Sequence, residues 1–101
     1  MSTSVPELVR AQDGTITVTG QLDVTSVAAC KESGEELIED ADEVVFDLAG
    51  TEVKGSAVIA LLIAWQRQAE KLAKPVRFVN APPNLLEIAE VCGVRDIIPF
   101  E

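Results

Sequence analysis

Apolar and polar positions change period several times along the chain, and each change predicts a new element. Thr15-Ile16-Thr17-Val18-Thr19 alternates with a period of two, which puts Ile16 and Val18 on one buried face. With Leu8 to Ala11 before it and Gln12-Asp13-Gly14 between, the stretch predicts a β-hairpin turned by Asp-Gly. From about Thr25 the period becomes helical: Val27, Cys30, Gly34, Leu37 and Ile38 share a face, and Gly34 weakens that helix while permitting close packing. Val44-Val45-Phe46-Asp47-Leu48 is a short apolar run of the kind expected for a parallel strand buried on both faces. Ala49 to Gly55 then reads as a loop, and Ser56 as the N-cap of a second helix running to about Leu72. On that helix Val58, Leu61, Leu62, Trp65, Ala69 and Leu72 fall within one arc of about 100°, wide enough to face a sheet. Val76 to Val79 predicts a further strand, Asn80-Ala-Pro-Pro a turn, and Asn84 to Cys92 a third helix stopped by Gly93. Ile97-Ile98 either adds a short last strand or packs down the terminus.

Alternating strands and helices after a hairpin predict an α/β fold. The sheet is mixed and mostly parallel, of four to five strands with one antiparallel member, and carries three helices on right-handed crossovers. At 101 residues, 48% of them apolar, the chain reads as one domain over 1–101 with a real core.

Charge narrows the partners. A formal net charge of -9, from 17 acidic and 8 basic residues, opposes phosphate backbones and anionic headgroups, so no nucleic-acid partner is expected. Met1-Ser-Thr-Ser-Val-Pro has neither a basic nor an apolar segment of the secretory kind, and the longest apolar run, Ala57 to Trp65, is nine residues. The expectation is a soluble, cytoplasmic protein, with Cys30 and Cys92 as buried free thiols in a reducing compartment.

Catalysis is hard to assemble. Without histidine or tyrosine, Ser/His/Asp and Cys/His arrangements are excluded, and two distant cysteines lack metal-ligand spacing, so no enzyme and no cofactor are expected. Glu35-Glu36 and Glu39-Asp40 read as solvated charge at a helix end. Gly50-Thr-Glu-Val-Lys-Gly55-Ser56 has the glycine spacing of a phosphate-binding loop, but its lysine precedes the second glycine instead of following it.

Two features remain. Ser56 opens a helix just after a strand, where an anion would meet free amide donors and the positive end of the helix dipole. From the residues alone the simpler reading is an N-cap, worth about 1 kcal/mol. Ile59 and Ile63 lie about 100° or more from the centre of the core arc, with Ala60 and Ala64 alongside. Either the first or third helix covers them, or they form a flat patch for a partner helix.

The hairpin, Gly20-Gln21-Leu22-Asp23, Val44 to Leu48, the loop to Ser56, the apolar helix and Val76-Arg-Phe-Val together resemble the STAS family, named for sulfate transporters and anti-sigma factor antagonists. That resemblance implies a non-catalytic protein-binding module. It also puts Ser56 at the place where anti-sigma antagonists carry a phosphoacceptor, though Gly55 stands where an Asp usually precedes it and Ala57-Val58 replaces a pair of small residues. Ser56 to Ala69, with Leu85-Leu-Glu-Ile-Ala-Glu-Val, looks nearer to the small cytoplasmic STAS subunits of the phospholipid ABC transporter that maintains outer-membrane lipid asymmetry. The implied partner is the transporter's ATPase subunit, the alternative a kinase-type anti-sigma factor, and the membrane is touched only through the complex. The implied contact surface is Thr51, Glu52, Val53, Lys54, Gly55, Ser56 and Ile59, joined by Asp23, Val24 and Thr25 of the neighbouring loop and by Ala60 and Ile63 of the helix flank.

Overall fold

The computed structural model describes residues 5–101. Its elements run β1 Glu7–Arg10, β2 Ile16–Leu22, α1 Val27–Asp40, β3 Val44–Val53, α2 Ala57–Lys71, β4 Val76–Val79 and α3 Pro83–Val91. Spatial order follows chain order, with β1 antiparallel to β2 and β2, β3 and β4 parallel to one another. A parallel neighbour can be reached only by a crossover, which is why helices follow β2 and β3 while β1 and β2 share a tight turn. In that turn Gly14 N–H donates to Ala11 O at 3.0 Å, Ala11 N–H donates to Thr15 O at 2.8 Å, and Gly14 takes φ +92°. A three-residue hairpin loop needs this left-handed residue, and glycine supplies it without strain.

Burial follows the pleat. Ile16, Val18 and Leu22 of β2, Val44, Phe46 and Leu48 of β3, and Phe78 of β4 are fully buried, whereas Thr17, Thr19, Val45 and Asp47 between them are only half-buried. β3 is therefore covered on one face, not on both, because all the helices lie on the side of Phe46 and Phe78. Trp65 of α2 stacks on Phe46 with ring centroids 4.3 Å apart and 4° between planes, and Phe46 stacks on Phe78 at 5.4 Å. Truncating so fully buried an aromatic side chain costs about 3–5 kcal/mol. The indole finds room because α1 has no side chain at Gly34, where a Cβ would stand 2.1 Å from Trp65 Nε1; that nitrogen donates to Lys31 O at 3.3 Å.

Three expectations need correction. β3 does not stop at Leu48 but continues to Val53, leaving only Lys54 to Ser56 as the connection to α2. The cause is a bulge: Thr17 pairs with Asp47 but Thr19 with Gly50, so β3 carries one extra residue and its alternation changes phase. Thr51 and Val53 then point inward, and the Thr51 hydroxyl donates to Leu48 O at 2.7 Å. Leu72 is 41% exposed, because α2 ends at Lys71 before another turn can face the sheet. Cys30 is buried but Cys92 is exposed, since it follows the last residue of α3, where helical periodicity no longer applies. At the terminus Ile98 packs down and is buried, but Ile97-Ile98 forms no strand: Ile97 is 62% exposed, and it is Phe100 that makes an isolated parallel bridge to Phe78 beside β4.

Candidate functional site

Parallel strands end on one edge of the sheet, and the loops leaving that edge meet there. Lys54 N–H donates to Leu22 O at 2.9 Å, one rung past Leu22 and Val53, so the loop after β2 lies beside the loop after β3. Asn84 Nδ2 donates to Val53 O at 3.0 Å and ties the start of α3 to the same corner.

The two loops are built differently. In the first, Asp23 Oδ1 accepts from Thr25 N–H at 2.9 Å, Thr25 Oγ1 at 2.6 Å and Ser26 N–H at 3.1 Å, while Oδ2 accepts from Gln21 Nε2 at 2.8 Å. Ser26 Oγ accepts from Asp23 N–H and donates to Gln21 O. Hydrogen bonds from the Thr25 and Gln21 side chains, then from the Thr25 amide, favour the carboxylate and lower the Asp23 pKa to about 2. In the second loop Gly55 takes φ +79° with open space where a Cβ would stand. Ser56 is exposed, at φ -91° and ψ -3°, and its side chain makes no capping hydrogen bond. A serine in this backbone conformation offers its hydroxyl to solvent, so the capping stabilisation expected from sequence is not realised.

Beside this free hydroxyl lies a shallow groove of about 440 Å³, lined by Gly55, Ser56, Asn84, Glu87, Ile88, Val91 and Cys92. Val91 is 88% exposed, an apolar side chain standing almost fully in water at the groove's rim. Such a surface suits an apolar side chain of another protein better than it encloses a small substrate.

The residues expected at the contact surface are placed as follows. Val24, Thr25, Glu52, Lys54, Gly55, Ser56 and Ala60 are exposed and Asp23 is half-buried, whereas Thr51, Val53 and Ile59 are 8%, 6% and 7% exposed and turn into the core. Ile63 is half-buried and, with Ala60, lines a separate groove between α1 and α2, not the corner. Ile59 is thus no part of an open patch: its own chain covers it. The α3 residues that complete the corner were absent from the expected surface. Their signal is the spacing Asn84, Glu87, Ile88 and Val91, which gathers them on one face of α3 away from buried Leu85 and Ala89. Among the described residues no group of three or more His, Cys, Asp and Glu could hold a metal ion, and no helix is long and apolar enough to cross a membrane.

A mixed sheet in this order, beginning with an antiparallel hairpin and carrying three helices, is the STAS fold. The sequence profile of the family described as Mlab, STAS domain matches residues 9–99, and the chain belongs to that family. Among solved structures, a chain of the Acinetobacter MlaFEDB complex in its ATP-bound Vtrans2 conformation is 21% identical, with a TM-score of 0.77 over 92% of this chain and 99% of that one. An anti-sigma factor antagonist from Mycobacterium paratuberculosis is 18% identical, with a TM-score of 0.76 over 94% and 82%. The Bacillus cell fate determinant SpoIIAA in its phosphorylated form is 15% identical, with a TM-score of 0.67 over 95% and 90%. At these identities the likeness is one of fold. No curated protein matches by sequence.

Proposed function

We propose that the chain is a non-catalytic STAS subunit that docks through the Ser56 corner onto the ATPase of a phospholipid ABC transporter and supports its activity from the cytoplasmic face of the inner membrane. The observation that carries this reading is the groove joining an unbonded Ser56 to Val91, which stands bare on α3 beside the half-buried Ile88. Burying Val91 in a partner's apolar pocket would contribute about 1.5 kcal/mol or more, and the exposed Lys54, Glu52 and Glu87 around it would set orientation. Gly55 in place of an acidic residue before Ser56 favours a constitutive contact over a phosphorylation switch. The family profile and the fold shared with a chain of an ATP-bound transport complex support the same partner class. In a pull-down from cell extract, the wild-type chain should retain an ATPase subunit, and Val91→Asp should lose it while unfolding at the same denaturant concentration. Undiminished capture by the Asp variant would remove the corner from the interface, and absence of any ATPase would remove the reading.

One observation favours a second reading, an anti-sigma factor antagonist. The Ser56 hydroxyl is exposed and free of hydrogen bonds, as a kinase requires of an acceptor. Phosphate there would add about two negative charges at the open end of α2 and change what the corner can bind. Incubation with a kinase-type anti-sigma factor and ATP, read by intact mass, should then show one added phosphate that Ser56→Ala abolishes; an unmodified wild-type chain would count against it.

A further inference from the structure

The eight basic side chains are unevenly engaged. Arg77 pairs with Glu101, Arg95 with Glu90 and Lys31 with Glu35, while Arg10 and Lys74 donate to carbonyls at the end of α1. Among the described residues, Lys54, Arg67 and Lys71 are left with neither an ion pair nor a side-chain hydrogen bond. Arg67 and Lys71 stand on the outer face of α2, along a groove of about 530 Å³ floored by Ala60, Ile63 and Ala64. The α1 side of the groove carries the Lys31–Glu35 ion pair, and beyond that pair the outer face of α1 is acidic: Ala28, Ala29, Glu32, Glu36 and Glu39 are exposed at helical spacing, with Asp40 at its end.

The two faces are also in register. α1 and α2 leave neighbouring parallel strands where Leu22 pairs with Val53, begin at Val27 and Ala57, and meet at Gly34 and Trp65. Each residue of α1 therefore stands at the height of the α2 residue about thirty positions later: Ala29 with Ala60, Glu36 with Arg67, Asp40 with Lys71. A two-fold axis running along the helices between two facing copies preserves these heights and exchanges left for right. It lays α1 of each copy over α2 of the other.

We propose that this helical face is a self-association surface, on which two copies pack about such an axis with Glu36 and Asp40 of each against Arg67 and Lys71 of the other. Ala29 and Ala60 are small enough to let the backbones approach. An anionic membrane would answer Arg67 and Lys71 of α2 and be repelled by the carboxylates of α1. An acidic helix of an unrelated protein would answer only α2 and would be repelled by α1, whereas a second copy answers both signs. Helices of 14 and 15 residues are about 21–23 Å long, and two side by side about 20 Å wide. That footprint is roughly half the ~800 Å² per partner of a standard interface, so the dimer should be weak and dissociate on dilution. This groove and the one at Ser56 share no residue, so the dimer keeps both corners free.

Sedimentation equilibrium of the purified chain between about 10 μM and 1 mM tests this independently of any ATPase. The wild type should shift from monomer to dimer. The pair Arg67→Glu with Lys71→Glu should weaken self-association about tenfold or more, as should the pair Glu36→Lys with Asp40→Lys. An equimolar mixture of the two variants should dimerise again, because the heterodimer has opposite charges in both pairings. All four positions are exposed, and unchanged circular dichroism of each variant establishes that folding is intact. A wild type that stays monomeric, with or without binding to an acidic helical peptide or anionic vesicles, overturns the proposal, as do variants with undiminished association or a mixture that stays monomeric.

Discussion

Two loops leave the same edge of the sheet side by side, each carrying the chain from a parallel strand into a helix, yet they are finished in opposite ways. Asp23 to Ser26 is tied by the Asp23 carboxylate and the Ser26 hydroxyl, which bond the Thr25 side chain and the amides of Asp23, Thr25 and Ser26 and reach back to Gln21 of β2. Lys54 to Ser56 is a short bridge whose only long-range backbone bond is Lys54 to Leu22, and its serine makes no capping bond. Local satisfaction stabilises a turn but uses up the groups that could bind something else. The contrast shows which helix start is finished within its own loop and which keeps an unbonded hydroxyl.

The comparison holds only while α1 and α2 are clamped together, so its sharpest break lies at their contact. Gly34→Ala should lower unfolding free energy by about 3 kcal/mol, measured by denaturant titration, because its methyl group would occupy the space of the Trp65 indole. Gly55→Ala should cost about 1 kcal/mol by the same measurement, since φ +79° is strained for alanine although nothing crowds its Cβ. Asp23→Ala should change the pH dependence. A pKa depressed from 3.8 to about 2 means that the carboxylate's contribution is fully present above 3.8 and is lost as pH falls through about 2. The wild type should therefore lose its stability advantage over Asp23→Ala within that window, as read from acid unfolding curves. Ser56→Ala should be the smallest, within about 0.5 kcal/mol of wild type, because no hydrogen bond is removed. A loss as large as that of a true N-cap would erase the distinction between the loops.

Much of this was legible in the chain. The period-two run at Ile16 and Val18, the helical arc from Val58 to Ala69 and the stop at Gly93 depend on local geometry, and the structure has all three. The bulge after Asp47 was not legible, because an extra residue in β3 is defined only against β2, and it decided that Thr51 and Val53 face inward. The state of Ile59 and Ile63 was open in the sequence, since covering them depends on elements far along the chain. Val91 and Ile88 needed only the spacing of α3, but their meeting with Ser56 required Asn84 to reach Val53.

The order of elements, the buried faces of β2 and α2 and a serine at the start of the second helix were written into the local spacing of apolar, glycine and capping residues. Which carboxylate closes its own turn, which hydroxyl stays free and which helix faces stand bare were settled when strands distant in sequence came into register. Those outcomes depend on neighbours that no window of the chain contains.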